Sequence, residues 1–180
     1  MRFLTLLLIL FICTPIAAND VDDYSKECRS SMNILGQALK TALKSAMEES
    51  GPKGALNKCN VDAVPITETV SIESGMLVGR TSFKNRSIQN IPDEWESKVL
   101  KEFEKKTYTE FGEIVTTEDG HQTFRYMKAI YTLPLCLKCH GSELEEDVAL
   151  IIKKLYPKDK ATGYKVGDFR GAFTIQKPLN

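Results

Sequence analysis

Phe124-Arg125-Tyr126-Met127-Lys128-Ala129-Ile130-Tyr131-Thr132-Leu133-Pro134-Leu135-Cys136-Leu137-Lys138-Cys139-His140-Gly141 is the stretch whose reading decides the fold. Its first half alternates. Phe124, Tyr126 and Ile130 fall on one face and Arg125, Met127 and Ala129 on the other, with Lys128 interrupting the first face. That period of two predicts a strand over 121–132. Just upstream, 113–117 reads as a partner strand, and Glu118-Asp119-Gly120 between them as a hairpin turn in which Gly120 supplies a positive φ. Pro134 ends the strand, and a Cys-x-x-Cys-His run follows at once.

Towards the N-terminus, 21–50 is helical in pattern. Met32, Leu35, Leu39, Leu43 and Met47 recur at three- and four-residue steps without a proline. Ser50-Gly51-Pro52 ends or kinks that helix. A second helical stretch, 53–63, is expected to stop at Pro65, and it places Ala55, Leu56 and Cys59 on one face. From 66 to 82 β-branched residues become frequent, and 76–82 is the first strand candidate. A polar, irregular piece, 83–92, leads to Pro92-Asp93-Glu94-Trp95, where a helix opens with acids at its positive end. Trp95, Val99, Leu100 and Phe103 form its buried face. Beyond the cysteine motif, Ser142 is expected to cap a helix that closes on Lys153-Lys154. A loop over 156–165 and a strand over 172–176 complete the order, which is α+β with a mostly antiparallel sheet.

The first residues set the address. Met1-Arg2, an uncharged run from Phe3 to Cys13, and Thr14-Pro15-Ile16-Ala17-Ala18 have the form of a secretory signal peptide, expected over 1–18. The apolar run is too short to span a bilayer comfortably. Membrane association is expected only if this segment stays uncleaved. Cys13 would leave with it. Residues 19–180 then form one domain, exported to a periplasmic or other extracytoplasmic space. Lys plus Arg and Asp plus Glu each number 24, with no basic stripe, which speaks against a nucleic-acid partner.

Two cysteines two residues apart with histidine directly after form a covalent c-type haem attachment pattern. Each thiol adds to one vinyl group, and the histidine is carried under the iron. Cys136 and Cys139 are thus the thioether positions and His140 the proximal ligand. A redox dithiol or half a zinc site are the alternatives. The zinc reading lacks a second ligand pair, because His121 is the only other histidine. For the sixth iron position the residues leave several choices open. Met32, Met47, Met76 and Met127 are available but suit the core. His121, beside a turn, reads as solvated surface. Cys59 is a lone thiol on an apolar helical face, equally readable as a buried free thiol or as a disulfide partner of Cys28. Arg80, Arg86 and Arg170 are candidates for pairing haem propionates, against the plain alternative of surface solvation. Trp95, Tyr126, Tyr131 and Tyr164 read as packing residues, and Cys28 receives no role.

Together these motifs resemble the single-haem, PAS-like c-type cytochrome family, whose members are free exported proteins or sensory modules of membrane signalling proteins. The matching pieces are Gly54-Ala55-Leu56-Asn57-Lys58-Cys59 before Pro65, Gly79-Arg80-Thr81-Ser82 with Arg86, Asn90, Pro92 and Trp95, and Leu135-Cys136-Leu137-Lys138-Cys139-His140-Gly141. Tyr156-Pro157-Lys158-Asp159-Lys160-Ala161-Thr162-Gly163-Tyr164 and Gly167-Asp168-Phe169-Arg170-Gly171-Ala172 complete them. One departure stands at Ser87-Ile88, where the family often has Asn-Pro. The resemblance implies a PAS-like fold with an N-terminal helix on a five-stranded antiparallel sheet. It also implies one covalent haem c with histidine and cysteine axial ligands, which map onto His140 and Cys59. A thiolate ligand favours Fe(III) and lowers the potential.

The expected function is therefore non-enzymatic: an exported haem c protein acting as redox sensor or low-potential electron carrier. Signalling would need a separate partner, because no output segment follows Asn180. A peroxidase-like haem enzyme would need a distal acid–base group, for which His121 is the only spare histidine. A PAS-like ligand-binding module without haem is the third reading.

Overall fold

The structure, a computed structural model, describes residues 18–179. The expected signal segment, Cys13 included, lies outside them but for Ala18. Helix α1, Ala18–Ser74, is two helical arms joined at Gly51, whose backbone (φ 62°, ψ −167°) leaves the helical region. The break falls where Ser50-Gly51-Pro52 predicts it, since glycine adopts that positive φ without a Cβ penalty. The arms face each other, with Leu39 and Ala42 of the first across a narrow cleft from Cys59, Ala63 and Ile66 of the second.

The second arm corrects the expectation at Pro65. The helix runs through this proline to Ser74, so 66–74 is not extended. Proline deprives the helix of one N–H, but burial of Val70 and partial burial of Ile66 against Cys28, Met32 and Leu35 outweighs both that loss and the β-branched composition. Thr67 and Thr69 donate their hydroxyls to the carbonyls of Ala63 and Pro65 at 2.7 and 2.9 Å. This back-bonding occupies the hydroxyls within the helix.

Strands β1 (Leu77–Thr81), β2 (Glu110–Thr116), β3 (Gln122–Tyr131) and β4 (Phe169–Leu179) form one antiparallel sheet in the order β1-β4-β3-β2. Four strands pair, rather than the five implied by the resemblance. Gly141 and Tyr164 make only a single bridge, because the loop around them bonds to the cysteine motif instead of to the sheet.

Strand alternation divides the core. Phe124, Tyr126, Val78 and Ile175 face α1 and pack with Cys28, Met32, Leu35 and Met76. Met127 and Ala172 face the opposite side and pack on Val99, Leu100 and Phe103 of helix α2, Glu94–Glu104. Asp93 caps α2 in a capping box with Glu96, which accounts for its start one residue past the proline–aspartate pair. Between β3 and β4 come a short 3₁₀ turn, Pro134–Cys136, the four-residue helix α3, Leu137–His140, and helix α4, Glu146–Leu155. Helix α4 starts later than Ser142 suggests, with Glu145 at its cap. Val148 and Ile152 of α4 pack on Leu56 of the second α1 arm, and Cys139 is partly buried beside them. Among the described residues no helix is long and apolar enough to cross a membrane.

Candidate functional site

The end of β3 delivers the cysteine motif. Pro134 begins the 3₁₀ turn, Cys136 sits at its end with Sγ accepting the Leu133 N–H at 3.4 Å, and α3 carries Cys139 and His140. The loop over 156–167 is fastened to this helix. Gly163 N–H donates to the Gly141 carbonyl at 2.9 Å, and Tyr164 N–H to the His140 carbonyl at 3.0 Å. Gly141 admits no side chain, because a Cβ there would lie 2.7 Å from the Leu137 carbonyl oxygen.

That loop orients His140. Its Nδ1 lies 2.6 Å from the Ala161 carbonyl oxygen. A carbonyl has no proton to give, so Nδ1 carries it, and the Nε2 lone pair is left free for a metal. Burial, with Arg170, Arg86 and Arg80 nearby, pushes the imidazole pKa down to about 3, so the ring is neutral at physiological pH. Tyr164 covers it edge-on at 6.4 Å, and Lys84 Nζ and Arg170 lie over the Tyr164 ring at 4.2 and 5.2 Å.

The three arginines converge here with different partners. Arg86, from the irregular loop after β1, donates through Nε to Asp159 at 2.9 Å and through Nη2 to the carbonyls of Cys139 (2.7 Å) and Ala161 (3.4 Å). Both side chains of this ion pair are buried, 11% and 8% exposed. Ser87, at the position of the family departure, caps a 3₁₀ turn, Ile88–Asn90, that closes the loop. Arg170 donates through Nη1 to the Lys84 carbonyl at 3.2 Å. Arg80 shares the α1 side of β1 with Val78 and makes no side-chain hydrogen bond or ion pair among the described residues. Burial lowers its pKa, and the neighbouring Arg170 lowers it further. Three guanidinium groups are thus served by one carboxylate, Asp159, leaving two positive charges uncompensated.

Cys59 reaches the same region from the second α1 arm. Burial pushes its thiol pKa up while Arg80 and Arg86 pull it down, and Cys139 responds in the same way to burial and Arg86. Cys28 is elsewhere, fully buried in the α1 core with its thiol pushed up to about 12 by burial. Both cysteines are free, so the Cys28–Cys59 disulfide is absent. Met32 and Met76 lie in the α1 core, Met127 in the α2 core, and His121 on the hairpin turn with its side chain 84% exposed. Among the described residues no three His, Cys, Asp or Glu side chains gather as a metal cage. Trp95 packs beside the α2 core and donates Nε1–H to Glu113 at 2.7 Å.

Sequence reasoning placed Asp159, Tyr156 and Ala161 in the family-matching stretch but gave none of them a role. Asp159 lies between two lysines, where a buried acid has no periodic signature. Tyr156 stacks under Arg86 at 5.7 Å. Ala161 acts through its backbone, which residue identity does not report.

The family model of the Tll0287-like proteins matches residues 17–178. The chain belongs to this family. Among solved structures it is similar to the crystal structure of the cyanobacterial heme-protein Tll0287, with a TM-score of 0.64 at 18% identity, covering 92% of this chain and 98% of that one. At that identity the likeness establishes a shared fold. No curated protein matches the chain. The Tll0287-like fold thus holds its cysteine motif between the end of β3, a fastened loop and the returning arm of α1.

Proposed function

We propose that this Tll0287-like chain is an exported c-type haem protein, a redox sensor or low-potential electron carrier rather than an enzyme. One haem c is held by Cys136 and Cys139, with His140 and Cys59 as axial ligands. The observation that carries the reading is His140, half-buried, neutral and hydrogen-bonded through Nδ1 directly after two free thiols. That is the donor state a haem-ligating histidine requires. The uncompensated charges of Arg80 and Arg170 suit the two propionates of a haem. The similarity to a solved heme-protein of the same fold supports the choice of cofactor.

When bound, the haem supplies a one-electron couple. The chain's own residues do the rest. Ala161 fixes the imidazole, the packing of α4 on the second α1 arm partly covers Cys139, and a Cys59 thiolate would favour Fe(III). Burial makes Cys59 hold its proton more firmly than an exposed thiol, and Arg80 and Arg86 work against that, favouring the thiolate that a metal ligand would require. His121, exposed on its turn, is poorly placed as a distal acid–base group, which supports a non-enzymatic role. Signal or electrons then pass to a separate redox or signalling partner.

The test is expression with a haem c maturation system, followed by absorption and EPR spectra of the oxidised protein and of Cys59→Ser. Covalent haem with a low-spin thiolate signal that vanishes in the variant is the expected result. A colourless protein would overturn the haem reading, and an unchanged variant spectrum the Cys59 assignment.

A further inference from the structure

Arg86 began as a candidate for pairing a propionate, but its visible bonds turn inward. Its Nε and Nη2 meet Asp159, and Nη2 also meets the carbonyls of Cys139 and Ala161. Asp159 in turn accepts the Ala161 N–H at 3.2 Å. The backbone of Ala161 is therefore held on both sides, its N–H by Asp159 and its carbonyl by Arg86, and that same carbonyl accepts the His140 Nδ1 proton. Arg86 also holds the carbonyl of Cys139, the residue just before His140. One planar side chain thus ties the loop after β1, the motif helix and the 156–167 loop around a single imidazole.

We propose that Arg86 and Asp159 are positioning residues for His140, acting through the Ala161 backbone to fix its tautomer and its donor strength toward a metal. The proposal rests on the haem reading only for its effect on the iron. The tautomer is a property of the chain itself. A guanidinium is needed because its donors leave in fixed directions from one plane, whereas a lysine ammonium is a point charge on a flexible stem. With the carbonyl released, the Nδ1–H bond weakens, the imidazole donates less charge, and Fe(III) loses stabilisation.

The experiment uses the full chain with Arg86→Lys and Asp159→Asn, both close in size to the native residues. Long-range ¹H–¹⁵N NMR on the chain made without haem maturation reads the ring nitrogens of His140, with exposed His121 as internal reference. The Nδ1-protonated form should dominate in the native chain. The Nε2-protonated share should rise at least threefold in both variants. In the haem-loaded chain, Arg86→Lys keeps the charge yet should shift the Fe(III)/Fe(II) ratio at a fixed potential toward Fe(II) by at least threefold. An unchanged tautomer in both variants overturns the proposal. So does a native ratio in Arg86→Lys, which would mean that Arg86 acts by charge alone, as a propionate partner would. Failure to attach haem refutes the functional reading separately and leaves the tautomer measurement decisive.

Discussion

Replacing Gly141 with alanine tests whether the motif helix and its loop form one rigid unit. The backbone at Gly141 (φ −68°, ψ 175°) suits any residue, so the cost is steric rather than conformational. The new Cβ would sit 2.7 Å from the Leu137 carbonyl oxygen and 3.5 Å from Leu137 C and Cβ. That oxygen accepts the Gly141 N–H at 3.0 Å, and the Gly141 carbonyl accepts from Gly163 at 2.9 Å, so relieving the clash strains both bonds. Forced overpacking at a buried site costs about 1–3 kcal/mol. A domain of this size loses roughly 2–4 °C of Tm per kcal/mol, which predicts a fall of about 2–12 °C by far-UV circular dichroism. Gly120→Ala is the matched control. There φ is 85° but a Cβ would meet nothing within 4 Å, so the loss should be only the left-handed strain of about 1–2 kcal/mol. His140 should report the difference. Gly141→Ala should move its NMR signals, whereas Gly120→Ala should leave them in place. A Gly141→Ala protein melting within 1 °C (about 0.3 kcal/mol) of native would refute the rigid-unit argument.

Other outcomes follow from the packing. Phe124→Ala, at a fully buried ring stacked near Tyr24 and Tyr126, should cost about 3–5 kcal/mol in urea unfolding, with little change in the cysteine motif. Pro65→Ala should stabilise by about 1–3 kcal/mol, because it restores a helical N–H in the second α1 arm; no gain in Tm would contradict the helix there. Glu110 is held below the usual carboxylate range by its hydrogen bonds from Arg29. Its stabilising contribution is therefore present above the unfolded value of about 4.3 and fades as pH falls through the lower folded value. The Tm gap between native chain and Glu110→Gln should accordingly close in acid, and a gap that widens below pH 4 would contradict the sign.

The parts visible in the sequence were those set by local rules. The hairpin showed through alternation and Gly120, the arm break through Ser50-Gly51-Pro52, and the placement of Cys59 with Ala55 and Leu56 through helical spacing. Pro65 misled because long-range burial of Val70 beside Met32 and Leu35 overrode its local breaking tendency. The count of strands was overstated because the 156–167 loop spreads its backbone bonds over His140, Gly141, Asn85 and Thr132 instead of pairing as a strand. Arg86 illustrates the limit of reading residue types. Its charge marks it as an anion partner, but only the fold reveals that its bonds go to Asp159 and two backbone carbonyls. The Ala161 carbonyl that orients His140 could not be read from sequence, since every non-terminal residue has one.

The sheet order carries a consequence for how the molecule is assembled. Strand β4, the last in sequence, lies in the middle, paired with both β1 and β3. Until it has emerged, β1 has no neighbour and β3 has only β2, so the contacts that close the domain span long sequence separations. Such high contact order slows folding. Cys136 and Cys139 precede β4 in the chain, so their thiols are exposed in a still-open polypeptide during synthesis. On the haem c reading proposed above, the topology would set a time window in which both sulfurs can be reached before the final strand closes the sheet.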